Sequence, residues 1–537
     1  MNRPCAVVLL LLGLCACTSP TDPGGKRPET EPDLAPGGWT AKTLPEIAAA
    51  LREGEISSER LVGHYLDRIE RIDRSGPRLQ SVLTINPNAL DDARAADAGR
   101  AAGETPGPLH GVPILIKDNV ESLDPMATTA GALALRENVT GRDSPLVAGL
   151  RRAGAVILGK TNLSQWANFR SNDSISGWSA LGGQVRNPHM LDRSPCGSSS
   201  GSAVAVAASL AAGAVGTETN GSIICPANVN GVVGFKPTVG LVSQQYIVPI
   251  SPTQDTAGPM TKTVTGAAMM LEAMATGGAG TGYVAALDAG ILDGARVGVM
   301  RFAQSKNADI VARFDAALKV LEEAGAVLVE IDEFEPRAEN LWDAEGKVLR
   351  YEFKAALNAY LAETPPAVAT RTLDELIAFN EARAGVELAL FDQSIFEEAA
   401  ELGDLTDEAY TEALDAVLSS TREHGIDALL AEHDVAVLVS PSGPVSSRVD
   451  PINGDVWPAW AGGGYLAAMA GYPHASVPMG TVHGIPIGFS FIGARDRDAT
   501  VLSFAYAYEQ RSKLLVEPQY LADAEARSEI AAAVVPR

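Results

Sequence analysis

The chain has 537 residues, of which 46% are hydrophobic and 20% are charged, a composition typical of a large, soluble globular protein of enzyme size. Its 42 basic and 66 acidic residues give a net charge of −24, which argues against nucleic acid or an anionic membrane surface as a partner. After the N-terminus, no hydrophobic run is long enough to cross a bilayer.

The N-terminus has the pattern of an export signal. Arg3 supplies a positive charge, and the apolar run at residues 6–16 is too short to span a bilayer but suits the core of a secretory signal. The run ends in Leu14-Cys15-Ala16-Cys17, which resembles a bacterial lipoprotein signal and makes Cys17 the candidate lipid attachment site. The alternative is an ordinary signal peptide that is cleaved nearby.

These features predict how the chain is divided. We expect a signal over residues 1–17, a disordered tether rich in Pro, Gly and Thr over 18–40, and a folded domain over 41–537. The protein would be exported, either to the periplasm or as a membrane-anchored lipoprotein.

The first part of the domain is predicted to contain two helices, at residues 44–72, with Ser57 or Ser58 as an N-cap. An apolar segment after His110 is then predicted as a short strand that ends at Lys117. A lysine in this position is commonly solvated. Alternatively, burial removes its hydration and lowers its pKa, so that the neutral amine can act as a base.

Two serine-containing loops bracket one buried segment in the middle of the chain. Residues 203–215 are apolar and rich in Ala, which predicts a core helix, and residues 215–219 predict a returning strand. A helix of roughly a dozen residues advances about 18 Å, and the strand returns about 16 Å. Ser198 and Ser222 can therefore lie at the same end of this unit, near the free N–H groups of the helix N-terminus. Two hydroxyls beside backbone donors suggest acyl-transfer chemistry.

Two other interpretations apply to the first serine loop. Clusters of Gly and Ser are commonly turns or linkers, but a linker does not run directly into a buried apolar helix. Residues 197–201 also match G-x-S-x-G, the nucleophile elbow, which requires a strand before it. Because residues 186–195 carry two prolines and no strand pattern, we reject the elbow.

Helices and strands alternate through the rest of the domain. A helix followed by a strand is predicted over 144–161. Further strands are predicted in the segments 295–300, 326–331, 435–439, 474–478 and 488–492, and the last long helix is predicted near 499–511. Residues 340–432 are mostly helical and acidic and are predicted to form an insertion. The pattern predicts an α/β fold: a single large domain with a central mixed, mostly parallel twisted sheet that is flanked by helices.

Cys196 and Cys225 are the cysteines outside the signal segment. In an exported protein they can form a disulfide, and two buried free thiols are the alternative. Neither C-x-x-C nor H-E-x-x-H occurs, so we expect no metal and no cofactor.

Several motifs together resemble those of the amidase signature family. They are the strand that ends in Lys117-Asp118-Asn119, the loop Gly197-Ser198-Ser199, and the segments 217–223, 234–238, 258–260 and 484–488. The resemblance extends over about residues 44–515. Within the family, the segments 172–178, 196–201 and 217–219 look most like those of bacterial peptide amidases.

The resemblance implies a serine hydrolase that cleaves linear carboxamides through an acyl-enzyme and releases ammonia, with the C-terminal amide of peptides as the expected substrate. Ser222 matches the nucleophile, Ser198 matches a bridging serine that follows a cis peptide bond, and Lys117 matches the base. The developing oxyanion would be held by the backbone N–H groups of Thr219, Asn220, Gly221 and Ser222. We expect a monomer that needs no cofactor.

Two positions depart from the family pattern. Asn220 stands where the family commonly has the first of two glycines, and its side chain could narrow the pocket or contact substrate. Asn tolerates unusual backbone angles better than most residues, so the loop can keep its shape. Cys196 replaces the usual first glycine of the serine-rich loop.

Three alternative functions follow from the same residues. The first is an amidase for small aliphatic, aryl or fatty-acyl amides. The second is the transfer component of a tRNA-dependent amidotransferase, against which the export signal and the acidic balance both argue. The third is a non-catalytic, lipid-anchored binding protein, against which the complete set of Lys117, Ser198 and Ser222 argues.

Overall fold

The computed structural model describes residues 34–35, 37–104, 107–277 and 282–535. From Ala35 onward these residues belong to one compact unit. Cys17, the predicted signal and most of the predicted tether lie outside the described residues. Within the described part of the chain, each helix is too short or too polar to span a bilayer.

An eleven-stranded sheet lies at the centre of this unit, and a separate two-stranded sheet is formed by β4 and β5. The strands are β1 (Val82–Ile85), β2 (Pro113–Lys117), β3 (Val156–Thr161), β4 (Trp178–Ser179), β5 (Gly183–Gln184), β6 (Gly213–Glu218), β7 (Val233–Lys236), β8 (Thr256–Thr261), β9 (Arg296–Met300), β10 (Val327–Ile331), β11 (Val437–Pro441), β12 (His474–Val482) and β13 (Ile485–Ile492). In space, the large sheet has the order β1-β3-β2-β6-β8-β7-β12-β13-β11-β9-β10.

Helices cover this sheet. The α-helices are α1 (Leu44–Glu53), α2 (Ser58–Arg68), α3 (Ala89–Ala101), α4 (Pro145–Arg152), α5 (Ser200–Ala207), α6 (Ile224–Asn230), α7 (Val264–Met274), α8 (Ala308–Glu323), α9 (Leu341–Ala362), α10 (Leu373–Glu381), α11 (Ala384–Glu387), α12 (Ser394–Ala400), α13 (Glu408–Thr421), α14 (Asp427–Glu432), α15 (Gly464–Ala470), α16 (Asp498–Ser512) and α17 (Ser528–Val534). The two helices predicted at the start of the domain are α1 and α2. Ser57 caps α2, since its hydroxyl accepts the N–H of Arg60 at 3.3 Å.

The predicted α/β domain with a mixed, helix-flanked sheet is confirmed, but the expectation that parallel pairs predominate needs correction. Among the described strands of the large sheet, four neighbouring pairs are parallel and six are antiparallel. Helical crossovers such as α4 and α8 produce the parallel pairs β2–β3 and β9–β10. Antiparallel pairs arise where the connection is short or lacks an α-helix, as between β12 and β13 or between β7 and β8.

The buried helix before β6 is shorter than predicted. It begins at Ser200 and ends at Ala207, and all of its residues are buried. Ser209, at φ 60°, adopts the left-handed conformation that ends the helix, and β6 starts soon afterwards, at Gly213. Ala-rich sequence carries no stop signal of this kind, which is why the prediction ran on to residue 215.

The chain between β10 and β11 forms helices α9–α14. The apolar face of α9, including Phe353 and Leu357, packs with Phe396 of α12 against Trp166. Farther toward the N-terminus of α9, Tyr351 packs with Tyr410 of α13. These helices therefore pack beside the segment that precedes the first serine loop.

Candidate active site

Two neighbouring strands bring the site residues to one edge of the sheet. β2 ends at Lys117 and β6 ends at Glu218, and the two strands are parallel neighbours. Parallel strands that lie side by side have their carboxyl ends at the same edge of a sheet. All five residues of β2 are buried, so Lys117 enters the site from the core.

The Lys117 amine is held by hydroxyl groups. Its Nζ lies 2.7 Å from Ser198 Oγ, 3.1 Å from Ser199 Oγ and 2.8 Å from Thr217 Oγ1. Burial lowers the pKa of Lys117 to about 7, although the negative charges of Asp255 and Glu218 oppose this change. Near neutral pH a large fraction of the amine is therefore uncharged and can accept a proton from Ser198.

The two serine loops meet beside this amine. The N–H of Ser199 donates to the carbonyl oxygen of Ser222 at 3.1 Å. The hydroxyl of Ser199 donates to the Thr217 carbonyl at 3.0 Å. Strand β6 can approach this closely because Gly216 has no Cβ; a Cβ there would lie only 2.9 Å from the Ser199 hydroxyl oxygen. The sequence thus placed Ser198 and Ser222 at the same end of the unit correctly.

Exposure distinguishes the two serines. Ser198 is fully buried, whereas Ser222 is 8% exposed. The peptide bond between Gly197 and Ser198 is cis, as the family resemblance implied. Ser222 is thus the less buried of the two residues, and Ser198 lies within hydrogen-bond distance of the buried amine.

The loop from Thr219 to Ser222 presents backbone donors. Within the described residues, none of its four N–H groups donates a hydrogen bond. Gly221 has φ 79°, a left-handed conformation that glycine adopts readily. The next two N–H groups, of Ile223 and Ile224, donate to the Glu218 carboxylate at 2.7 and 3.0 Å, which fixes the far side of the loop.

Side chains that the sequence did not single out hold this loop. The Thr219 hydroxyl donates to Asp255 at 2.6 Å. The Asn220 amide donates to Glu345 of α9 at 2.7 Å, and Gln254 donates to the same carboxylate oxygen at 3.0 Å. Burial raises the pKa of Glu345 and raises that of Asp255 to about 6. The side chain of Asn220 therefore contacts protein as well as lining the cavity described below.

A disulfide joins the two serine loops. Cys196 and Cys225 are bonded, with their Cα atoms 5.9 Å apart. The bridge connects a position two residues before Ser198 to a position three residues after Ser222. Of the two states that the sequence left open for these cysteines, the structure has the bonded one.

A cavity of about 640 Å³ opens onto these loops. Its lining includes Gly197, Asn220 and Gly221 from the serine loops, and aromatic side chains from α9, α15 and the loop that precedes α15. Binding sites for small ligands have volumes of this order. Among the described residues, no three His, Cys, Asp or Glu side chains converge as a metal site would require, and the expectation of no metal or cofactor stays a prediction.

Comparison with known proteins identifies the family. The family model named Amidase matches residues 60–502, well over half of the chain. The chain belongs to the amidase signature family.

Similar proteins extend this relationship over the whole domain. The Arabidopsis thaliana protein named probable amidase is 36% identical over 500 residues, which cover 89% of this chain and 92% of that protein. A putative amidase of Schizosaccharomyces pombe is 33% identical over 516 residues, which cover 89% of this chain and 86% of that protein. The crystal structure of peptide amidase from Stenotrophomonas maltophilia is 45% identical, with a TM-score of 0.83, and covers 89% of this chain and 98% of that one.

These similarities confirm two predictions for this amidase. Its α/β domain has the amidase signature fold, and it is an enzyme that hydrolyses amides.

Proposed function

We propose that this amidase removes the C-terminal amide of peptides, releasing ammonia, by means of Lys117, Ser198 and Ser222. The observation that carries the proposal is the 2.7 Å contact between the buried Lys117 amine and Ser198, in a site where Ser222 is less buried than Ser198. The 45% identity to a peptide amidase supports the choice of substrate. A cavity of about 640 Å³ with aromatic walls also suits a peptide better than a small aliphatic amide.

In the proposed first step, neutral Lys117 accepts the proton of Ser198 while Ser198 accepts the proton of Ser222. The Ser222 oxygen then bonds to the amide carbon, and the carbonyl electron pair moves onto the oxygen. Backbone N–H groups of residues 219–222 stabilise this oxyanion; in other enzymes the loss of one such donor costs about 2.7–4 kcal/mol.

In the second half of the cycle, protonated Lys117 returns its proton through Ser198 to the leaving nitrogen. The carbon–nitrogen bond breaks, ammonia leaves, and an ester on Ser222 remains. Water then attacks this ester, giving its proton to the same relay, and the peptide acid is released as the Ser222 hydroxyl re-forms.

The proposal includes export. A disulfide such as Cys196–Cys225 is typical of proteins in oxidising compartments, which agrees with the signal-like residues 1–17. Cys17 would then carry a lipid that holds the enzyme at a membrane.

Substitution of the three proposed residues tests the mechanism. Lys117→Ala, Ser198→Ala and Ser222→Ala should each lower ammonia release from an acetylated dipeptide amide by at least about 10³-fold, because the relay fails as a unit.

The proposed substrate class is tested with the unsubstituted enzyme, which should release ammonia more slowly from an aryl amide than from the peptide amide.

The matched control is Ser122→Ala, a buried serine whose hydroxyl has no hydrogen-bond partner among the described residues. It should retain activity. Full activity in any of the three folded test variants would refute the assignment of that residue.

A further inference from the structure

The wall of the cavity combines carboxylates with aromatic rings. Among its described lining residues, Glu218 and Asp455 are acidic, and none is a lysine or an arginine. The one histidine of this described lining, His474, is uncharged near neutral pH because burial lowers its pKa to about 3. Among these described lining residues, the acidic groups therefore have no basic side chain beside them in the cavity wall.

The two carboxylates have different surroundings. Glu218 lies near the amines of Lys117 and Lys236, and one of its oxygens accepts the N–H groups of Ile223 and Ile224. Its other oxygen, although buried, has no hydrogen-bond partner among the described residues. Glu218 is balanced by neighbouring positive charge.

Asp455 has no such balance. Both of its oxygens lie 3.0 Å from the backbone nitrogen of Ser176, and it forms no ion pair within the described part of the chain. Burial raises its pKa, although hydrogen bonds from Ser176 and Trp457 oppose this change. A carboxylate has about four lone-pair positions, so Asp455 retains capacity for a donor from the cavity.

Aromatic rings lie beside this carboxylate in sequence and in the cavity wall. Trp457 and Trp460 contact each other edge to face, with ring centroids 5.8 Å apart, and both line the cavity. Trp342 and Tyr465 form a second pair at 5.3 Å. Trp342 is 58% exposed and Trp460 is 52% exposed, so both have ring surface to offer a ligand. Aromatic faces attract cations and also pack against apolar side chains.

We propose that Asp455, with Trp457 and Trp460, binds an ammonium group on the acyl part of the substrate, so that cationic peptide amides are preferred over neutral and acidic ones. This inference rests on the proposed function of the same site. The ammonium group can be the peptide N-terminus or a lysine side chain, which share the same chemistry.

Four dipeptide amides test the preference. They are Ala-Leu-amide, its acetylated form, its succinylated form, and acetyl-Lys-Leu-amide. The value of kcat/KM should be about tenfold higher for a substrate with an ammonium group than for the acetylated neutral one, since a hydrogen bond to a charged group is worth about that factor. The succinylated substrate should be the poorest. The free-amine and lysine substrates show which ammonium source fits.

Asp455→Asn assigns the preference to one residue. Asn keeps the size of the side chain and an oxygen that can accept the Ser176 N–H, so the loop should fold. The cationic-to-neutral ratio of kcat/KM should then fall from about ten to near one. Asp343→Asn is the charge-matched control, because Asp343 is exposed and next to Trp342 but does not line the cavity; its ratio should stay near the original.

Two results would overturn the inference: a ratio of one or less in the unsubstituted enzyme, or an equal fall in both Asn variants, which would indicate only the general field of an acidic protein.

Calorimetric titration of the Ser222→Ala variant tests the ammonium site separately from the proposed reaction. Free-amine dipeptide amide should bind about tenfold more tightly than its acetylated form, and addition of Asp455→Asn should remove the difference. Equal binding of both forms by Ser222→Ala refutes the ammonium site. Selective binding by Ser222→Ala, together with no ammonia release by the unsubstituted enzyme, refutes only the proposed reaction.

Discussion

Burial gives the Lys117 amine a pKa of about 7, and this residue sets the pH range in which the proposed relay can work. Only the uncharged amine can accept the proton of Ser198, and its fraction rises as pH increases through the pKa. We expect kcat/KM for a neutral peptide amide to fall by about tenfold for each pH unit well below 7 and to level off above it.

Removing the charge of Asp255 should shift the acid side of the pH profile of kcat/KM. Asp255 favours the charged form of Lys117, so Asp255→Asn should lower the Lys117 pKa further and shift the acid limb to lower pH. Asn can still bond to Thr219 and to the N–H groups of Ile250 and Ser251 by placing its oxygen toward the latter.

A pH profile of kcat/KM for each variant makes the comparison. Asp309→Asn, on the exposed surface of α8, serves as the control and should leave the profile in place. A limb that stays unchanged in Asp255→Asn, or moves to higher pH, would show that Lys117 is not the group that titrates.

At the scale of elements, helix α9 contacts the loop of residues 219–222 through one carboxylate. Glu345 accepts hydrogen bonds from Asn220 at 2.7 Å and from Gln254 at 3.0 Å, and it is buried. Glu345→Ala leaves both amides without this partner, at a cost of about 1–3 kcal/mol for each buried group. The loop of residues 219–222, the proposed oxyanion site, should then lose its position, and kcat should fall by about 10–100-fold.

Glu345→Gln is the matched variant for this prediction. Its amide oxygen can accept from Asn220, so most of kcat should return, while KM for the peptide amide should change little in either variant. Unchanged kcat in a folded Glu345→Ala enzyme would mean that α9 packs against the loop without positioning it.

The disulfide is the second connection between elements, and its effect should appear in stability. Cys196 and Cys225 are 29 residues apart in sequence, and closing a loop of this size stabilises a protein by about 3.6 kcal/mol. The double variant Cys196→Ala/Cys225→Ala should lose about that much free energy of unfolding. Denaturant titration with and without a reducing agent measures the effect: reduction should lower the midpoint of the unsubstituted enzyme but not that of the variant. Equal midpoints throughout would exclude a stabilising role.

Over the whole molecule, the sequence predicted the residues of the proposed relay but not the side chains that hold them in place. The spacing of the segment that forms α5 and β6 predicted that Ser198 and Ser222 lie at one end of that unit, and the family resemblance added Lys117 to them. Glu345 and Asp455 come from segments far along the chain, and no local spacing marks them. Packing of α9 and of the loop before α15 brings them to the site, and a single sequence does not encode such distances in any visible pattern.

Two features of the fold were predicted wrongly for a similar reason: the direction of strand pairing and the length of α5. Residue types predicted strands and helices well, but pairing direction depends on how connections return across the sheet. The loop between β7 and β8 and the turn between β12 and β13 made antiparallel pairs predominate. Ser209 ended α5 through its backbone conformation, which an alanine-rich sequence does not reveal.

If the enzyme is exported as proposed, the Cys196–Cys225 bond forms after the chain has left the reducing cytosol. On the proposed route of export, newly translated enzyme therefore lacks the bond between the two serine loops. The disulfide would form when the enzyme reaches its oxidising destination. Amides inside the producing cell would meet the immature form, while those outside would meet the finished catalyst. For the laboratory, recombinant chain taken from a reducing cytosol should need an oxidation step before it reaches its full stability.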